Sequence, residues 1–121
     1  MAVKAVSVTM TVDASASASA LSAPIVERHR PISILVWADQ SAAGSFFRVF
    51  LTKQSTPNPE PQPGDPPVFD LRVDRLFGTN VFFTPLAMTT IVDPPVQVNL
   101  FFNNAATAAA NVIATYVYET V

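Results

Sequence analysis

The chain has 121 residues, of which 50% are hydrophobic and only 13% charged, against roughly 25% charged in ordinary soluble domains. Seven basic and nine acidic residues leave a net charge of -2, and there is no cysteine. These figures bound the chain to one domain and exclude a disulfide scaffold, a zinc finger and a thiol enzyme; they also argue against intrinsic disorder and against direct nucleic-acid binding.

Residues 3–12 alternate: Val6, Val8, Met10 and Val12 point one way, Ser7, Thr9 and Thr11 the other. That period of two predicts a half-buried strand. The phase continues through Ala14, Ala16, Ala18 and Ala20, with Ser15, Ser17 and Ser19 opposite. Small side chains on both faces bury little area, so this stretch does not hold itself in place. It is a flexible arm or a strand laid on another surface. Its start has the early Lys4 and the Ala-x-Ala triplets of an export leader, but Ser7, Thr9, Thr11 and Asp13 break the apolar core that a leader needs.

Residues 25–31 gather charged groups around the single histidine, His29, which beside Glu27, Arg28 and Arg30 reads as solvated. Residues 32–38 and 45–53 are strands, each apolar on both faces. The short polar turn between them reads as closing a hairpin. Residues 54–67 hold six prolines. They predict a stiff, extended, solvated loop, because proline lacks the backbone donor and fixes φ. Beyond it, strands are expected at 69–74, 80–83, 86–92, 96–102 and 112–121, with a loop or a single helical turn at 103–111. Each Phe pair, 46/47, 82/83 and 101/102, puts one ring in the core and one outside.

The fold expectation is all-β. It is an antiparallel β-sandwich, jelly-roll or immunoglobulin-like, of seven or eight strands over 25–121, with an extended N-terminal strand and Ala/Ser-rich arm over 1–24. No run approaches the ~20 apolar residues of a membrane span. No nucleophile elbow or phosphate loop is present, and the charges of Asp70, Arg72 and Asp74 alternate on a strand as a solvated face does. No catalytic, cofactor or metal residue is therefore expected.

A surface so poor in charge has little protection against association. The second apolar faces of 32–38 and 45–53 need cover that this helix-free chain does not supply. The expected role is a non-enzymatic structural subunit, binding copies of itself and other structural subunits as a virion coat or decoration protein or as a fibre component. The retained Met1 turns that choice toward the virion over an extracellular or cell-surface filament. The candidate interface comprises Val6, Val8, Met10, Val12, Ala14, Ala16, Ala18, Ala20, Phe46, Phe50, Phe83 and Phe101. The alternative is a carbohydrate-binding module, which would need two or three coplanar exposed aromatics.

Overall fold

The computed structural model describes residues 1–74, 81–86 and 89–121, and the backbone alone of 81–83. Among these residues eight strands are present: β1 (Val3–Val12), β2 (Ser17–Leu21), β3 (His29–Ala38), β4 (Phe46–Thr52), β5 (Asp70–Val73), β6 (Val81–Pro85), β7 (Gln97–Asn103) and β8 (Ala110–Thr120). They form two four-stranded antiparallel sheets, in the orders β1-β8-β3-β6 and β2-β7-β4-β5. No helix occurs among the described residues.

The pairing is nested. First strand meets last (β1 with β8), then β2 meets β7, β3 meets β6 and β4 meets β5. A long antiparallel ribbon rolled onto itself gives this order, which is that of a jelly roll. Of the two sandwich types expected, it is therefore the one present.

Alternation sets the core. Val8 and Val12 of β1, Ile34, Val36 and Ala38 of β3, and Val112, Ala114 and Tyr116 of β8 face Phe47, Val49 and Leu51 of β4 and Val98, Leu100 and Phe102 of β7. All are buried. Each large side chain fully removed from water contributes about 1.5–3 kcal/mol. As the doublets predict, Phe47 and Phe102 are core while Phe46 and Phe101 lie outside and half-buried. Phe83 pairs through its backbone with Leu35, but its side chain lies outside the described residues.

Four expectations are corrected or decided. Residues 32–38 and 45–53 do not form a hairpin: β3 and β4 belong to opposite sheets, and 39–45 arches between them. Both strands carry an inward apolar stripe, and crossing the sandwich buries both. The Ala/Ser stretch is a strand laid on a surface, and the surface is the chain's own. β2 pairs with β7, placing Ala18 and Ala20 beside Phe102 and Leu100. Small residues suit a position next to such large ones. Third, the described residues of 86–92 form no strand: Ala87 and Met88 lie outside them, and of the rest only Val92 makes an isolated bridge, to His29.

The fourth correction is His29. It is 0% exposed. β3 starts at His29 in the inward phase, which turns Arg28 and Arg30 outward and the imidazole into the core. Nδ1 lies 2.9 Å from the Glu27 carbonyl and Nε2 lies 2.9 Å from the Tyr116 hydroxyl. A carbonyl only accepts, so Nδ1 carries the proton and Nε2 accepts from Tyr116. The ring also packs on Tyr118, centroids 4.7 Å apart.

Candidate functional site

Two sheet faces look outward, and the chain treats them differently. On the β2-β7-β4-β5 sheet, registers place Phe46, Arg48 and Phe50 of β4 beside Asn103, Phe101 and Asn99 of β7. The Pro-rich segment folds back over half of this face. The Asn58 N–H donates to Asn99 Oδ1 at 2.9 Å, and Asn99 Nδ2 donates to the Asn58 carbonyl at 2.8 Å. Asp65 fastens the return leg, accepting from the Thr52 hydroxyl at 2.8 Å, the Lys53 N–H at 3.0 Å and the Gln62 N–H at 2.8 Å. Burial of Asp65 opposes its ionisation. The N–H donors of Gln62 and Lys53, with the Thr52 hydroxyl, outweigh that and hold its pKa below the usual carboxylate value.

Phe50 is consequently 1% exposed although its side chain points away from the core. The cover expected from a partner comes from the chain's own prolines. Pro61, Pro66 and Pro67 join Phe50 and Phe69 around a groove of about 310 Å³. Asn99→Ala leaves the Asn58 N–H and carbonyl without partners. It is expected to cost about 1–3 kcal/mol and to make 54–67 a target for limited proteolysis. A thermal melt unchanged from the parent, with tryptic cleavage after Lys53 at the start of the segment no faster, would refute that anchoring role.

What stays open on this sheet is Phe46 and Phe101, with ring centroids 5.6 Å apart and planes tilted by 42°. The Arg72 guanidinium sits 3.9 Å from the Phe46 ring centre, a cation–π contact. Arg48 holds Asp70 through two hydrogen bonds, of 2.8 and 2.6 Å, and Arg72 holds Asp74 at 2.7 Å. The Asp70–Arg72–Asp74 alternation is thus a set of ion pairs along an exposed sheet edge.

Among the described residues no such strap crosses the β1-β8-β3-β6 sheet, although Ser33 on its outward face is buried. Its outward rows read Ala5–Val117–Ser33, Ser7–Thr115–Leu35 and Thr9–Ile113–Trp37. No ionisable side chain stands in any of the three. The hydroxyls satisfy one another instead, Ser7 with Thr115 at 2.8 Å. At the end of the rows, the Thr11 hydroxyl donates to Asn111 at 2.8 Å and Asn111 donates to Asp39. Beside Trp37 and Ile113 lies a depression of about 390 Å³, walled also by Thr9, Thr11 and Asn111. Among the described residues the nearest charges, Arg30 and Glu119 at one end and Asp39 at the other, lie at the margins.

The candidate interface residues thus divide. Val8, Val12 and Phe50 are used inside the chain. Val6, Met10, Ala16, Ala18 and Ala20 are half-buried at the rim where β1 and β2 close the sandwich, and Ala14 is exposed in the turn between them. Phe46 and Phe101 are on the surface. The charge-free rows added Leu35, Trp37, Ile113, Thr115 and Val117, which the sequence did not place in the candidate interface. Their signal was there: the second faces of 32–38 and of 112–121, read in register.

Among the described residues no group of three or more His, Cys, Asp or Glu is placed to hold a metal, and no helix is long and apolar enough to cross a membrane. Compared with known proteins, the chain matches no family model and no curated protein.

Proposed function

We propose that this protein is a non-enzymatic structural subunit, which associates with copies of itself and with other structural subunits to build a larger particle. The observation that carries this reading is the outer face of the β1-β8-β3-β6 sheet. An antiparallel sheet face that remains in water is ordinarily rich in polar and charged residues. Here three consecutive rows carry none of the charge, while the opposite sheet has its own cover of prolines. A virion coat or decoration protein suits such a subunit, with a fibre component of an extracellular or cell-surface filament as the second setting.

A carbohydrate-binding role has less support. Sugar rings stack on open, coplanar aromatics. Phe46 and Phe101 are tilted by 42°, and Arg72 already lies against one of them.

The test is size-exclusion chromatography with light scattering over a wide concentration range, followed by electron microscopy of negatively stained material. Multimers that grow with concentration, and particles of repeating shape, are the expected result. A monomer that persists at millimolar concentration overturns the reading.

A further inference from the structure

We infer that β1 is an assembly edge: it pairs antiparallel with β1 of a second copy about a two-fold axis at Ser7, joining two four-stranded sheets into one continuous sheet. This rests on the self-association proposed above and names the contact that makes it.

A sheet edge exposes a row of unpaired N–H and C=O groups, and chains that stay apart guard such edges with short strands, charges, prolines or bulges. Among the described residues the fold has four edges: β1 and β6 on one sheet, β2 and β5 on the other. Three are guarded. β5 has four residues and carries Asp70 and Arg72. β6 has five and ends in Pro85. β2 also has five. β1 has ten, with no proline, and its register against β8 runs unbroken through all ten pairs. Its one charge, Lys4, stands near the outer end, neutralised by Glu27 at 2.6 Å.

The backbone shows which groups are free. The Thr120 N–H donates to the Ala2 carbonyl at 2.9 Å. By antiparallel alternation, Lys4, Val6, Val8 and Met10 then direct their backbone groups at β8, while those of Val3, Ala5, Ser7, Thr9 and Thr11 point away from it. A second β1 must hydrogen-bond to those odd-numbered residues. The two-fold register that uses the whole strand sets Ser7 against the partner copy's Ser7, Ala5 against its Thr9 and Val3 against its Thr11.

The side chains agree with that register on both faces. Outward, small and hydroxyl residues oppose one another and extend the charge-free rows. Inward, Val6 meets Val8, so the half-buried rim of the core gains a neighbour. Lys4 falls opposite Met10, which leaves the two lysines about 20 Å apart at ~3.4 Å per residue, beyond a Debye length of ~8 Å at physiological salt. No like charges come together, so the strand accepts its own copy.

A cysteine-free chain makes the register directly measurable. Opposed residues of a hydrogen-bonded pair have Cα atoms about 5.5 Å apart, within disulfide range. Ser7→Cys is expected to give a covalent dimer under a mild added oxidant, visible on a non-reducing gel, whereas Thr11→Cys, on the same face of the same strand, should give at least tenfold less. Ser7→Lys sets two ammonium groups against each other and should weaken self-association at least tenfold by light scattering, with the circular dichroism spectrum and melting curve of the parent. If Ser7→Lys associates like the parent, or if the two cysteine variants cross-link equally or not at all, the edge assignment is wrong while the assembly role survives. If the parent is monomeric at every concentration, both fall.

Discussion

Deleting residues 1–22 is expected to leave a chain with no cooperative unfolding transition. An N-terminal arm would come away without harm, leaving 32–121 folded. The structure gives the opposite expectation, because the deletion removes β1 and β2, one edge strand from each sheet. β8 would lose its ten-pair register with β1 and β7 its five-pair register with β2. Val8 and Val12 would leave the core, and Val112, Tyr116, Leu100 and Phe102 would lose a flank. Asn104, which is buried, would lose the Ala16 carbonyl to which its backbone N–H donates at 2.8 Å, and its side-chain amide would keep the Ala108 carbonyl but lose those of Val12 and Asp13; orphaning one buried N–H alone costs about 1–3 kcal/mol. Domains of this size are stable by only about 5–15 kcal/mol, so the sum exceeds what the remainder can sustain. Circular dichroism melts of the two chains decide it. A truncated chain with a sharp transition would show that β1 and β2 are accessory.

Acidification from pH 7.5 to 5 is expected to weaken the fold through His29. Burial lowers its pKa from 6.5, the Glu27 carbonyl opposing only in part. The sign follows from linkage. A histidine whose folded pKa is depressed takes up protons more readily when unfolded. Its contribution is therefore intact above the unfolded value near 6.5 and declines as pH falls below it, by at most about 1.4 kcal/mol per pH unit until the folded pKa is reached. Protonation would also turn Nε2 from acceptor to donor and break the bond from Tyr116. His29→Gln keeps a neutral polar side chain and removes the titration. Denaturant midpoints measured at intervals across this range should slope for the parent and flatten for the variant. Equal slopes would mean that other groups carry the acid response.

How much of this was legible in the sequence depends on the range of the interaction. β1, β4, β7 and β8 were readable because period-two alternation is local and strong in Val, Phe, Leu and Tyr. The Phe doublets were readable for the same reason. The start of β3 was not, because Glu-Arg-His-Arg-Pro looks like a wet loop until a buried hydroxyl 87 positions away is known to meet the imidazole. β2 was ambiguous because Ala and Ser have too little surface to declare a side; the large Leu100 and Phe102 that fix it lie elsewhere in the chain. A turn compatible with a hairpin is equally compatible with an arch, and only the completed topology chooses.

The candidate surface follows the same rule. That the chain lacks charge is plain from composition. Which face lacks it required the register of three strands. The Pro-rich segment is the irregular loop expected, but it folds back instead of extending, and its anchors, Asn99 and Asp65, are single polar residues bonded largely to backbone groups. Nothing in the local pattern advertises such a bond, so the covering of Phe50 stayed hidden and a partner was invoked for it.

Nesting the first strand against the last also imposes an order in time. During synthesis β1 leaves the ribosome before its in-chain neighbour β8, with the other six strands between them. At translation speeds of about 5–20 residues per second, the interval is roughly 5–20 s. For that period the longest and least guarded of the edge strands is open along both sides, and neighbouring nascent chains on one messenger present the same segment.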